Sequence, residues 1–496
     1  MQPTAETRYG SVRGATGADS IAVFKGIPYA APPVGPNRFQ PPQPPFSWAG
    51  VREAQEFGPT APKGTARAAY AALIPDVTVP GDDCLNLNLW TPDPAGHLPV
   101  MVWIHGGAFT SGAGSLAVYD GVHFARDGVV LVTINYRLGA DGFLLLDGCS
   151  ANLGLLDQIA ALQWVQDNIA AFGGDPANVT VFGESAGAMS IGCLLAMPQA
   201  GGLFHRAILE SGAAQHTLSR STATLIAHHL SDMLGVPLSA DSLAKVPLDH
   251  LLEAQVTLST ATFTDQDPQR WGEAALNLMP FEPVVDGDVL SAAPLEGIRA
   301  GASAVVDILI GSNTDEFRLF LLPSGLIDVV TDDLLRLGFT RYGLDPDQAA
   351  AVYRDGHPDA TPGELLCAVA TDWFFRIPAI RLAEAHVKQH KAATYLYEFG
   401  WQPPTFDGRL GACHASELAF VFDNRHDQAM TPMLGTNPPQ QVADAMHSAW
   451  VAFAISGDPG WAVYDTDQRQ TMHFNTRSQV FENPRPQERE LWQGHR

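Results

Sequence analysis

Short, continuously apolar runs recur along the chain: PVMVWIH (99–105), VVLVTINY (129–136), VTVFG (179–183), RAILES (206–211), VVDILIG (305–311) and TYLYEF (394–399). Continuous rather than alternating apolarity means that both faces are covered, as in a parallel sheet under helices. Helical patterns alternate with these runs. NLGLLDQIAALQWVQDNIAAFGG puts Leu155, Ile159, Leu162, Val165 and Ile169 on one face, ended by Gly173 and Gly174. QQVADAMHSAWVAFAISGDP does the same with Val442, Met446, Trp450 and Phe453, and stops at Gly457. This alternation predicts a doubly wound α/β sheet. The weakly patterned stretches 221–294 and 321–381 are expected to be helical insertions over one end of that sheet, within one domain spanning 1–496. The Pro-rich stretch 32–46 reads as an ordered surface strap.

Composition narrows the function classes. The 496 residues are 46% hydrophobic and 17% charged, which excludes an intrinsically disordered chain. The net charge of −24 repels phosphate backbones and anionic lipid, so no nucleic-acid or membrane partner is expected. Five cysteines (Cys84, Cys149, Cys193, Cys367, Cys413) contain no CxxC pair, which argues against a zinc ribbon, a thioredoxin-like site or a disulfide framework. No window of 18 apolar residues exists, and MQPTAETRYG carries no apolar signal core. The expected compartment is the cytoplasm. Monomer and dimer are both compatible with the sequence.

One segment carries candidate chemistry. Gly183-Glu184-Ser185-Ala186-Gly187 follows the apolar run at 179–182 and precedes a helix-compatible run. Strand, G-x-S-x-G, helix is the sharp turn that lifts a serine hydroxyl above the sheet end. The glycines are needed where neighbouring chain passes too close for a Cβ, and the helix start adds partial positive charge. An idle serine in a Gly-rich turn would read the same from this segment alone. Upstream, WIHGGAFTSGAG begins where another apolar run ends. Glycines there let main-chain N–H groups point into open space, as the second half of an oxyanion hole requires. His105 reads as a turn-packing residue rather than a base.

With these motifs in hand, the chain resembles the carboxylesterase type B family, the cholinesterase-like branch of the α/β-hydrolases. FKGIPYAAPPVGPNRFQPPQP, DDCLNLNLW, WIHGGAF, INYRLGADGFL, NLGLLDQIAALQWVQDNIAAFGGDPANVTVFGESAGA and WVAFAISGDP all carry the resemblance, most densely over 24–212. Bacterial members acting on nitrobenzyl and similar esters look nearest. The resemblance implies an α/β-hydrolase fold, a large mostly parallel sheet flanked by helices, with helical insertions over an active-site gorge. It implies Ser185 as nucleophile, Glu316 as acid in ILIGSNTDEF with Asp315 as adjacent rival, and His414 as base in GACHASELAFVF. Its oxyanion donors fall on Gly107, Ala108 and Ala186, with Gly106 as a turn glycine. Ser211 falls on a serine hydrogen-bonded near the acid, and Glu184 on a carboxylate that tunes charge or pairs with a base. Two departures stand out. Phe317 replaces the glycine that usually follows the acid. Cys84 matches half of a disulfide found in secreted relatives, and no cysteine precedes it.

The expected activity is hydrolysis of short- to medium-chain or aryl carboxylic esters through an acyl-enzyme, without metal or organic cofactor. A carbamate or amide hydrolase, or a lipase, would use the same triad. A cholinesterase-like binding protein without activity is the rival of a different class. Phe109, Phe317 and Phe320 lie near the motifs and are candidates for the pocket wall, with core packing as the alternative for each.

Overall fold

The computed structural model describes residues 2–65 and 69–495. Its main sheet has eleven strands among the described residues. In chain order they are β1 (Ala15–Thr16), β2 (Ala22–Pro28), β3 (Asn86–Thr91), β4 (Leu98–Ile104), β5 (Val130–Ile134) and β6 (Gly174–Glu184). The rest are β7 (Arg206–Glu210), β8 (Asp307–Asn313), β9 (Thr394–Phe399), β10 (Gln470–Phe474) and β11 (Gln479–Glu482). Across the sheet they run β11-β10-β9-β8-β7-β6-β4-β5-β3-β2-β1. From β10 to β5 all neighbours are parallel, and the outer pairs are antiparallel.

The six apolar runs form β4 to β9. Each residue of β5 is 0% exposed, as expected of a strand covered on both faces. Five further strands come from less apolar sequence. In β3, Asn88 is buried and turns its amide to Thr133 Oγ1 at 3.0 Å, which satisfies the polar group a pattern of apolar residues would not contain.

The longer helices are α1 (Leu153–Asn168), α2 (Ala186–Leu194), α3 (Arg220–Leu234), α4 (Leu248–Thr264) and α5 (Asp332–Arg341). They continue with α6 (Pro346–Gly356), α7 (Pro362–Thr371), α8 (Ile377–Val387) and α9 (Gln440–Ser456). α1 passes into a 3-10 turn, Ile169–Phe172, and stops at Gly173 with φ +79°. α9 stops at Gly457 with φ +81°, where a side chain would be strained. Helices fill both weakly patterned stretches. Between α7 and α8 the chain makes a π turn, Asp372–Arg376. Among the described residues no helix is long and apolar enough to cross a membrane.

β4 sits between β5 and β6, so the chain leaves it to one side and returns on the other. At such a reversal the loops beyond the strand ends part and open a crevice. The ends of β4 and β6 carry the Gly106–Gly107 and Ser185 segments.

Candidate active site

Ser185 links β6 to α2 with φ +54° and ψ −122°, a conformation that costs a non-glycine residue free energy. Two hydrogen bonds hold it there. Its N–H donates to Glu210 O at 2.8 Å, and its carbonyl accepts from Met189 N at 2.8 Å. The flanking glycines are needed for close approach: a Cβ on Gly183 would stand 2.5 Å from Ile104 O, and one on Gly187 only 2.0 Å from it. The turn therefore packs directly on the end of β4.

The loop after β4 lies against this turn. A Cβ on Gly106 would meet Glu184 Oε2 at 2.6 Å and Ser185 Cβ at 3.1 Å. Gly107, Ala108 and Phe109 all have positive φ (+110°, +51° and +60°). Gly107 O accepts from Thr110 N at 3.0 Å and Ser111 N at 2.9 Å, closing the loop on itself. The N–H groups of Gly107, Ala108 and Ala186 donate to no acceptor among the described residues, leaving three donors available beside Ser185. His105 is buried, stacks on Tyr136 at 4.5 Å and has its Nδ1 2.8 Å from Gly106 O. Burial holds its pKa down to about 3, so it is a neutral packing residue.

On the opposite side, His414 Nδ1 donates to Glu316 Oε2 at 2.7 Å. Glu316 is fully buried, and its Oε1 accepts from Asn313 N at 2.8 Å. The adjacent Asp315 instead pairs with Arg318 at 3.1 Å and accepts from Ala412 N at 3.1 Å, away from the imidazole. Phe317, which follows Glu316, has φ −74° and donates its N–H to Thr371 Oγ1 at 3.1 Å, so the turn does not require glycine. The far imidazole nitrogen, Nε2, lies 3.0 Å from Glu184 Oε1. That oxygen has no aligned hydrogen bond, so the approach is a charge contact. Ser185 Oγ makes no hydrogen bond to His414. Burial alone would lower the pKa of His414, but Glu184 and then Glu316 outweigh it and raise it to about 9.

Three more buried carboxyls surround this pair. Burial raises Glu184 to about 7, opposed by His414 and assisted by Glu316. Burial, then Glu184 and Glu316, raise Glu417 to about 8. Glu210, whose Oε1 accepts from Trp450 Nε1 at 2.7 Å, is pushed well above the carboxylate range by burial and then by Glu417. Glu417 accepts from Asn313 Nδ2 at 2.5 Å. The sequence reading did not single out Glu210, Glu417 or Asn313, although Glu417 stands three residues after His414 in the quoted motif. Ser211 is buried at φ +52° with its N–H on Gly311 O at 2.9 Å, but its hydroxyl has no partner among the described residues.

Aromatic rings crowd the imidazole. Phe375 lies 4.8 Å and Phe320 5.5 Å from the His414 ring. Phe317 bridges Phe320 and Phe374 at 5.1 Å each, and Tyr70 meets Phe320 edge-on at 5.3 Å. Phe374 and Phe375 belong to the π turn, a rare element that gives consecutive residues an unusual angular offset. The sequence reading missed them because neither helical nor strand period marks such a turn. Phe109 is fully buried against Phe143 at 4.9 Å, in the core position given as its alternative. Among the described residues no group of three or more His, Cys, Asp or Glu is arranged to hold a metal ion.

Residues 1–492 match the sequence profile described as the carboxylesterase family. The chain is 39% identical to the para-nitrobenzyl esterase of Bacillus subtilis (strain 168), covering 98% of this chain and 97% of that one. It is 36% identical to the phenmedipham hydrolase of Pseudarthrobacter oxydans, over 92% and 91% of the two chains. Among solved structures, a Geobacillus stearothermophilus carboxylesterase superposes with a TM-score of 0.86 at 38% identity, covering 99% of both. The α/β-hydrolase fold is shared, and this chain belongs to the carboxylesterase family of carboxylic-ester hydrolases.

Proposed function

We propose that Ser185 is the nucleophile, His414 the general base and Glu316 the carboxylate that orients it. The N–H groups of Gly107, Ala108 and Ala186 form the oxyanion cradle. The observation that carries this reading is the 2.7 Å contact of His414 Nδ1 with Glu316 Oε2, beside a serine strained upward at the end of β6.

The Ser185 Oγ–H bond breaks as Oγ bonds to the ester carbonyl carbon, and the proton passes to His414 Nε2. The carbonyl oxygen becomes an alkoxide held by the three N–H groups. One such donor lowers the barrier by about 3 kcal/mol. The C–O bond to the alcohol then breaks, and the alcohol leaves with the proton from Nε2. Water adds to the acyl-serine by the same route and releases the acid. Glu316 holds Nδ1 through its hydrogen bond and steadies the imidazolium. For the first step Nε2 turns from Glu184 toward Ser185 while Nδ1 keeps its hydrogen bond to Glu316.

The substrates we propose are small esters with short- to medium-chain or aryl groups. Phe317, Phe320, Phe374 and Phe375 supply flat apolar surface beside the reacting atoms, suited to aryl rings. The helical segments 221–294 and 321–381 act as the walls of the access path. A reducing cytoplasm is the proposed compartment, supported by five free cysteines. The test is turnover of a dissolved short-chain nitrophenyl ester before and after a serine-directed organophosphate. Abolished turnover agrees with the reading, and undiminished turnover contradicts it.

A further inference from the structure

The loop after β4 holds a conformation it would not keep unaided. Gly107, Ala108, Phe109 and Gly112 all have positive φ, two of them with side chains. The rest of the protein grips this loop at its carbonyls: Tyr136 Oη donates to His105 O at 2.8 Å, Thr133 Oγ1 donates to Gly114 O at 2.7 Å, and two further grips lie between them. Phe109 O accepts from Gly139 N at 2.7 Å, and the neighbouring Ala140 N donates to Gln255 Oε1 on α4 at 3.0 Å. Gly112 O accepts from Lys63 Nζ at 3.2 Å.

Lys63 is unusual in itself. Its side chain is only 2% exposed, and its ammonium also donates to Asp76 Oδ1 at 2.5 Å and Val77 O at 2.6 Å. All three protons are thus used. An ammonium removed from water costs free energy unless its partners are well placed. Here those partners join the Lys63 segment and the Asp76–Val77 segment to the loop after β4. The backbone beside Lys63 is braced in turn: a Cβ on Gly64 would meet Val256 Cγ2 of α4 at 2.3 Å. At the other end Gly112 is wedged against the cradle, since a Cβ there would meet Gly106 O and His105 Nδ1, each at 2.5 Å. Movement of Gly112 would therefore be felt at Gly106, which touches Glu184 and Ser185.

We propose that Lys63 is a positioning residue for the oxyanion cradle, its buried ammonium fixing the Gly112 carbonyl and through it the N–H groups of Gly107 and Ala108. The inference rests on the catalytic reading given above. Lys63 touches no reacting atom. Its contribution is to keep two donors where negative charge develops, so its loss is felt in the transition state more than in substrate binding.

The test uses Lys63→Met, an unbranched side chain one atom shorter than lysine that removes its donors. With a dissolved nitrophenyl ester, kcat falls about tenfold or more while KM stays within about threefold. Affinity for a trifluoromethyl ketone, which binds as an oxyanionic serine adduct, falls by the same factor as kcat. Unchanged kcat and unchanged ketone affinity overturn the proposal, whatever happens to the melting temperature. If Lys63→Met does not fold, Asp76→Asn replaces it, because the Asp76 side chain is 49% exposed. That variant leaves the lysine without its counter-charge, so kcat is lost at lower pH on the alkaline side than in the parent. Superimposable alkaline limbs overturn the proposal. Ser185→Ala, measured alongside, separates the two levels: turnover retained in Ser185→Ala refutes the catalytic reading, whereas turnover lost there with Lys63→Met unaffected refutes this inference alone.

Discussion

His414 Nε2 lies 3.0 Å from Glu184 Oε1, so the imidazole stands between two carboxylates, with Glu316 Oε2 at 2.7 Å on its other nitrogen. In a fully buried site two negative neighbours favour the imidazolium strongly.

The sign for activity follows. A proton acceptor works only when neutral, and the pKa of His414 is raised to about 9 against burial by Glu184 and Glu316. We expect kcat/KM in the free enzyme to climb with pH through the alkaline range, above the ordinary histidine range near 6.5. Glu184→Gln removes the larger of the two raising influences and moves this limb to lower pH. A pH profile on a dissolved nitrophenyl ester checks it; an unmoved limb would contradict the assignment.

The choice between neighbouring carboxylates is equally direct. Glu316→Gln leaves a side chain that no longer requires the donating form of Nδ1, and kcat is expected to fall by about 10³-fold or more. Asp315→Asn weakens contacts with Arg318, the Ala412 N–H and the Thr314 hydroxyl, none of them at the imidazole, and kcat is expected to stay within about tenfold of the parent. Reversed sensitivities would exchange the two roles.

Glu417 offers a stability readout. Burial, then Glu184 and Glu316, raise its folded-state pKa to about 8 from an ordinary value of 4.5. Because the folded form keeps the proton longer, the stabilising contribution is full below pH 4.5 and is lost as pH rises to about 8. Glu417→Gln removes this loss, so its melting temperature relative to the parent should increase between those limits. Parallel melting curves at both ends would show that the carboxyl is not held neutral.

Much of this was legible because it rests on patterns that burial enforces. The central stretches of β4 to β9 are buried on both faces and so are mostly apolar, and α1 and α9 end at glycines that the left-handed turn demands. β3 escaped the pattern because Asn86 and Asn88 satisfy buried hydrogen bonds inside it. β10 and β11 lie toward the sheet edge, where β11 is exposed and polar residues are tolerated. The motifs named Ser185, Glu316 and His414, but which way Nε2 faces depends on packing around Glu184 and is not written in spacing. Phe374 and Phe375 reach the imidazole through a π turn that has no sequence period. Lys63 is one of 29 basic residues and becomes distinctive only when its side chain is seen buried against Gly112 O.

The most direct test of the central assignment is the position of the covalent adduct left by a serine-directed phosphonate, read by peptide mass spectrometry. We predict a single adduct on Ser185, formed in step with loss of ester turnover and absent from Ser185→Ala. An adduct on a different serine accompanying that loss would contradict the account.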